Sequence, residues 1–498
     1  MNVWLVTTGS SDVQLTSDEN WSDWWQETKK SLYRLQFEPV RPIDDEGEPY
    51  RLHARVLGIA HDRLPEQVQP YLSFPLLQNF IQKLKVEKIQ IDQIIVLTSD
   101  QENIFPESER ETKRCPYWQD TCQLYPILED YLGEYFPDAT VKPLILKPKA
   151  SNLGLDNWDA VLELVQTEIA SLKFETEPQN IYVSHQAGTP AISSAVQFCS
   201  LAKFGDRVKF LVSSEQDKTL TDIIKSSTYL RGIKRGQSEK LLKNHDYTGV
   251  NDLIAGYLDS DTKILLDAAI QWNFSHFVQS SSLIKKGKKS KQENFLEKLS
   301  KHPKFNELVI ERTGEDKWWW EAYEAAYLGV IRLRQGNTVE AVFHSFRSLE
   351  GLLKSWAEQK YPGELTHTKH PKWKENDRWD RNLRSYGEDL YTFLETKREI
   401  NKDKNFDIWI FGNVVIGRRN ELFHNIKGLD DQQDVFEVWR SSNEKQWKDN
   451  PEEKWKTRIL NCLNYIVEED FPDGFATLEE ASLMAKVHTE LENAIAHL

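Results

Sequence analysis

No stretch of this chain approaches the ~18 consecutive apolar residues that a membrane-spanning helix needs, so no membrane association is expected. Its opening residues, MNVWLVTTGSSD, lack the basic start and long apolar stretch of a secretory signal. The expected compartment is the cytoplasm. Cysteine is scarce: Cys115, Cys122, Cys199 and Cys462 show neither metal-ligand spacing nor a disulfide framework, which fits structural thiols in a reducing environment. No GxGxxG and no GxxxxGKS or GxxxxGKT occurs, so a dinucleotide cofactor and NTP hydrolysis lack their phosphate cradle. Metal-binding motifs are absent as well, and no metal or cofactor is expected. Basic residues are outnumbered, with a net charge of -15. That balance excludes a whole-surface grip on nucleic acid, although a local basic groove survives it.

What is present is a folded chain of 498 residues with 17 tryptophans, longer than one hydrophobic core usually grows. Two or three domains are expected. The first 215 residues alternate short aliphatic runs with amphipathic ones. Strands are expected over 3–8, 91–99, 141–147, 180–184 and 207–213, and helices over 75–85, 124–136, 157–172 and 190–204. Strand and helix in alternation predict an α/β unit, a largely parallel sheet covered on both faces. Residues around 15 to 70, with Trp21, Trp24 and Trp25, read as an insertion without an assigned place.

From about 216 the strand signal fades. Residues 223–243 carry six Lys or Arg against one acidic residue, and KKGKKSK at 285–291 packs five lysines into seven positions. The lysine run reads as a solvated loop or a nucleic-acid contact, and it marks a domain edge. The expected division is therefore 1–220, a basic and mainly helical connector over 221–291, and an all-α unit over 292–498. In that last part Val339, Val342, Phe343, Phe346, Leu349, Leu352, Leu353 and Trp356 recur three or four apart, a buried helix stripe. The preceding helix is expected to end at Gly336, a C-cap position.

Ligands of open α/β sheets bind beyond the carboxyl ends of the strands. Three polar loops lie there: TTGSSD (7–12), TSDQEN (98–103) and SHQAGTP (184–190). In the last, Gly188 permits a tight turn, Thr189 can cap a helix and Pro190 suits its first position. It is either a plain strand-to-helix turn or half of a polar ligand site.

Near the other end the chain reads GRRNELFHN, Gly417 to Asn425. On a helix turning about 100° per residue, Ile408, Phe411, Val415, Leu422 and Ile426 form a stripe, and Asn420 and His424 point roughly opposite it. Arg419 stands about 140° from His424, so one copy brings the two together poorly. Two copies meeting across a two-fold axis would do better. A histidine moves protons near neutral pH and an arginine stabilises charge on phosphoryl oxygens. The set is therefore either a solvated helix face or the chemistry of metal-independent RNA cleavage. Arg418 beside it would hold substrate or form a surface ion pair, and Arg347 and Glu350 would buttress the site or pair on the helix surface.

RNELFH, Arg419 to His424, resembles the R-N-x-x-x-H form of the HEPN ribonuclease motif. TTGSSD and SHQAGTPAISSAV resemble the loops of the CARF domain, a Rossmann-like sensor. Together they resemble the CARF and HEPN ribonucleases, ancillary effectors of type III CRISPR systems. The resemblance implies a homodimer whose CARF pair binds cyclic oligoadenylate, the cyclic tetra- or hexa-adenylate, as an allosteric activator. It implies a HEPN pair that degrades single-stranded RNA without metal in antiviral defence, through 2′-OH attack that leaves a 2′,3′-cyclic phosphate. Carried over by motif, the catalytic residues would be Arg419, Asn420 and His424. The ligand-binding residues would be Thr8, Gly9, Ser10, Ser11, Ser99, His185, Gln186, Gly188, Thr189 and Pro190. The alternatives are a ligand-responsive regulator that holds nucleic acid through basic residues 223–243 and keeps an inactive HEPN domain for dimerisation, or a CARF nuclease that cleaves the cyclic oligoadenylate itself.

Overall fold

The computed structural model describes the chain except residues 33–34, 42–47, 150–152, 215–219, 278–293, 315, 363, 365–371, 376–377, 385–386, 425–428 and 446. The side chains of 372–375, 378–384, Asn420, Phe423 and His424 are likewise outside the description, as are Ile426 and the lysine run at 285–291. The described chain divides into two compact units, Met1–Leu230 and Arg231–Leu498.

The first unit is built on six strands: β1 (Asn2–Thr7), β2 (Gln93–Ser99), β3 (Thr140–Leu146), β4 (Asn180–Ser184), β5 (Val208–Ser213) and β6 (Thr221–Lys225). Their order is β3-β2-β1-β4-β5-β6, parallel except for the antiparallel edge strand β6. Leu5 of β1 pairs with Ile95 on one side and Val183 on the other. This is the doubly wound Rossmann order, with its switch point between β1 and β4. All five expected strands are present. β6 escaped the sequence reading because TDIIK is a half-exposed edge with charged residues, without the apolar run that burial on both faces imposes.

Alternation along β1 decides the layers. Val3 and Leu5 pack with α5 (Trp158–Ser171) and α6 (Pro190–Phe204), whereas Trp4 and Val6 face α3 (Pro75–Val86) and α4 (Tyr125–Tyr135). The 15 to 70 insertion joins the second layer through α1 (Trp21–Thr28) and α2 (Ala54–Arg63). Trp21 and Trp24 are buried there, and the Trp21 indole donates to the Phe37 carbonyl at 2.8 Å.

The second unit is mainly helical. Helix α7 (Ser226–Lys243) crosses the division, and α8 (Tyr247–Ile254) and α9 (Ser260–Asn273) follow it. Leu242, Tyr247, Val250 and Trp272 of this stretch share the core of the later helices, which runs from α10 (Pro303–Thr313) onward. Helix α11 (Trp320–Arg334) ends in a left-handed Gly336 (φ +78). There Gly336 N–H donates to Leu333 and Asn337 N–H to Arg332, the paired bonds of a Schellman stop. Helix α12 (Thr338–Lys360) then returns along α11, with Gly329 close to the Ala341 carbonyl. Val342, Phe346, Leu349, Leu352, Leu353 and Trp356 are buried as expected, but Val339 and Phe343 are 46% and 41% exposed. Those two, four apart, share a face turned away from the buried Ala341 and Ser345, which pack against Gly329 of α11, so the apolar period overcounted the buried face.

The remaining helices used below are α13 (Glu388–Lys397), α14 (Ile416–His424), α15 (Gln432–Trp439), α16 (Pro451–Val467) and α17 (Leu483–Ala496). A short hairpin, Lys372–Glu375 with Arg378–Arg384, interrupts the expected all-helical pattern. No helix among the described residues is long and apolar enough to cross a membrane.

Candidate functional site

The loops after β1 and β4 leave adjacent strands at the switch point, and glycine lets them touch. A Cβ at Gly9 would lie 2.8 Å from the Gly188 nitrogen, and Gly188 itself sits at φ +93, where side chains are strained. The strand exits are bolted together by Trp4 Nε1, which donates to Ser184 Oγ at 2.6 Å, and by Thr7 Oγ1, which donates to the Ser184 carbonyl at 3.1 Å.

Asp12 closes the first loop. Its Oδ2 accepts from Gly9 N–H at 2.5 Å while its own N–H donates to the Gly9 carbonyl at 3.2 Å. The side chain is 1% exposed, and burial pushes its carboxyl up to about 7. Ser10 is half-buried and Ser11 exposed, so these hydroxyls and the exposed Gly188 and Pro190 are the expected residues presented at the surface of the crevice. Thr8 is turned inward: its hydroxyl donates to the Leu97 carbonyl at 2.8 Å and lies 2.9 Å from Thr121 Oγ1. Ser99 and Thr121 exchange backbone-to-hydroxyl bonds of 3.0 and 3.2 Å.

Thr189 caps α6, accepting from Ile192 N–H at 3.2 Å, and donates to the Leu155 carbonyl at 2.7 Å. Gln186, although exposed, clamps the end of β5 through its amide: Ser213 N–H donates to Oε1 at 2.6 Å and Nε2 donates to the Ser213 carbonyl at 2.8 Å. His185 contacts Ser193 Oγ through Nδ1 at 3.1 Å, and its Nε2 is buried without a hydrogen-bond partner. Burial holds this imidazole below its ordinary pKa, which favours the neutral form.

The insertion finds its role at the same edge of the sheet. Arg55 of α2 reaches Asp100 at 2.9 Å and Asp120 at 3.0 Å, stacks over Tyr117 at 3.9 Å and bonds the Tyr117 carbonyl. Asp120 in turn binds Gln101, whose Oε1 accepts from Leu155 N–H at 2.9 Å. Four loops beyond the strand ends are thereby joined in one hydrogen-bonded rim. Asp12, Arg55 and Asp120 were not singled out by the sequence reading; Asp12 stood inside the quoted TTGSSD, but nothing in a sequence marks a carboxylate as buried.

In the second unit, α14 carries RNELFH. The helix leading into it is broken by a π turn at Phe411–Val415, where Ile416 N–H bonds the Phe411 carbonyl. One inserted residue shifts the phase of everything after it by about 100°. Ile408, Phe411 and Val415 are buried and Leu422 only half-buried, so the ideal stripe does not run straight into RNELFH. The turn is fitted to a ring: a Cβ on Gly412 would fall 2.1 Å from the Tyr391 ring of α13.

Arg419 lies with its guanidinium carbon 4.5 Å from the centre of the Phe346 ring of α12, a cation–π contact that fixes the head group. Asn420 and His424 belong to the backbone of α14, with side chains outside the described residues. Arg418 makes no ion pair among the described residues and is half-buried. Its Nη1 donates to the carbonyls of Glu437, Val438 and Arg440, which satisfies the orphaned C-terminal acceptors of α15. Glu350 accepts from Gly387 N–H at 2.6 Å and so fixes the start of α13 rather than pairing along its own helix. His344, on the same helix as Phe346, is pushed down to about 4 by burial first and by Arg347 and Arg332 after it.

Comparison with known proteins starts from two blanks: no family model matches the chain, and no curated protein sequence does. Solved structures do match. An Enterococcus italicus Csm6 bound to cyclic hexa-2'-fluoro-hexa-dAMP superposes with a TM-score of 0.57. The chain shares the Csm6 fold. Identity is 13%, with 99% of this chain and 100% of the Csm6 chain covered. The likeness therefore extends through the Rossmann-like unit and the helical unit alike, in the order that TTGSSD, SHQAGTP and RNELFH suggested.

Proposed function

We propose that this chain is a cyclic oligoadenylate-activated endoribonuclease of type III CRISPR defence, acting as a homodimer on single-stranded RNA without a metal cofactor. The observation that carries the reading is the conjunction of RNELFH on α14 of a helical unit with glycine-apposed loops at the switch point of a Rossmann-like unit. The end-to-end likeness to a Csm6 bound to a cyclic oligonucleotide supports it. Ser10, Ser11, Gly188 and Pro190 meet the ligand first. Thr8, Ser99, His185, Gln186 and Thr189 shape the crevice through their bonds to neighbouring loops.

In the helical unit, His424 serves proton transfer as the ribose 2′-OH attacks the adjacent phosphorus, Arg419 stabilises charge on the phosphoryl oxygens and Asn420 orients the group. Stacking on Phe346 gives Arg419 a defined position before substrate arrives, which lowers the cost of ordering it. Product analysis tests the chemistry: cleaved single-stranded RNA should end in a 2′,3′-cyclic phosphate, and a free 3′-hydroxyl would contradict it.

A second reading is favoured by Asp12 and His185 in the sensor loops, namely slow cleavage of the activator itself. A carboxyl that keeps its proton up to about pH 7 can serve as a general acid. Incubating cyclic oligoadenylate with the full-length His424→Ala protein isolates this activity. An intact ring after long incubation would exclude it.

A further inference from the structure

The helical unit holds a partly open cavity that the nuclease reading does not use. It has a volume of about 330 Å³, within the usual range of small-ligand sites, and is lined by residues that include Arg312, Lys317, Trp319, Trp320, Tyr323 and Phe475. Its walls come from the end of α10, the start of α11 and the segment between α16 and α17.

Four of the aromatic rings form one connected set. Trp319 stacks on Phe471 with an interplanar angle of 14°, and Phe475 contacts Phe471 at 4.9 Å and Tyr323 at 5.0 Å. Arg312 lies 4.6 Å over the Phe475 ring, and its Nη1 is buried with no hydrogen-bond partner. A buried guanidinium nitrogen without an acceptor is costly, so it marks a place for one. Lys317, which pairs with the exposed Asp316 at 3.0 Å, adds a second cation.

Three carboxylates line the wall as well, and none is the acceptor that Arg312 Nη1 lacks: Glu311 and Glu480 are exposed, Glu480 accepts from Ala476 N–H at 3.1 Å, and Glu324 is already occupied. Glu324 accepts from Trp272 Nε1, Ser482 Oγ and Leu483 N–H at 2.8, 2.7 and 2.5 Å. It therefore does not supply the acceptor that Arg312 lacks. What suits stacked rings beside an unsatisfied fork of N–H donors is a flat ring that carries an anionic oxygen group.

The geometry points to this cavity as a binding site for a nucleobase with its phosphate, either a free mononucleotide or one nucleotide unit of an RNA strand. The inference does not require RNA cleavage by this chain, and its test reads binding alone.

The probe is adenosine 5′-monophosphate, titrated into the full-length protein by calorimetry with cyclic hexa-adenylate present in saturating amount to fill any sensor site. Binding is expected. Adenosine, which lacks the anion, and ribose 5-phosphate, which lacks the ring, should each bind at least about tenfold more weakly, as loss of one charge-assisted bond or one stacking contact implies. Arg312→Gln and Trp320→Leu should each weaken binding to the same extent while leaving the melting temperature near that of the parent. A linear 2′-O-methyl hexa-adenylate that competes with the mononucleotide assigns the site to an RNA strand; failure to compete assigns it to the free nucleotide. No binding of adenosine 5′-monophosphate at millimolar concentration would overturn the inference. So would binding that neither substitution alters.

Discussion

Replacing Asp12 by asparagine keeps the shape of the side chain and an acceptor for the Gly9 N–H, and removes the proton that the buried carboxyl takes up. Burial raises this group from 3.8 to about 7, opposed only by its bond from Gly9. Between those two values the folded chain holds a proton that the unfolded chain has released. Stability therefore falls as pH rises through this window and levels off above about 7. At about 1.4 kcal/mol per unit the full penalty is about 4 kcal/mol, of which roughly 3 kcal/mol accrues between pH 5 and pH 8. Asparagine carries no such penalty. In calorimetric scans the transition of the first unit should shift down relative to Asp12→Asn by about 6 to 12 °C on going from pH 5 to pH 8, at 2–4 °C per kcal/mol for a unit of this size. His185, whose pKa is moved in the lowered direction, titrates in both proteins and cancels in the difference. Parallel movement of the two transitions over that range would refute the reasoning, because it would mean that Asp12 is ionised throughout.

Other substitutions separate the parts of the account. Gly9→Ala places a methyl group 2.8 Å from the Gly188 nitrogen; activator binding measured by calorimetry should weaken at least about tenfold, since backbone on both sides must move. Arg418→Ala uncaps α15 and should cost the helical unit about 2 kcal/mol in urea unfolding, whereas Arg419→Ala should abolish RNA cleavage with a smaller loss of stability. Arg458, 6% exposed at the side chain, holds Asp407 at 2.8 Å and Glu444 at 2.7 Å. Its replacement by methionine strands two carboxylates and should destabilise the same unit by about 3 kcal/mol, again read by urea unfolding.

How far a sequence reading carries depends on whether a residue's role is local. Strands β1, β2 and β4 were legible because burial on both faces leaves near-continuous apolar runs such as WLV and IIVL, and Gly336 was legible because a helix stop is a local conformational demand. Asp12 and Arg55 were not, because what matters about them is what packs over them, from loops and an insertion tens of residues away. The π turn before α14 left no mark in the apolar spacing, which is why the projected stripe ran on past Val415. Arg418 and Arg419 are indistinguishable as letters. Only the placement of α15 makes one a helix cap, and only Phe346 on α12 makes the other a held cation.

The central claim, that RNELFH is a nuclease site switched by a cyclic oligoadenylate, is tested most directly by one comparison. Single-stranded RNA is incubated in EDTA with the purified chain and with His424→Ala, each with and without cyclic tetra- or hexa-adenylate. Cleavage by the parent is expected to rise sharply with one of the two rings and to be lost in the substituted protein. Cleavage that persists unchanged in His424→Ala, or that ignores both rings, would contradict it.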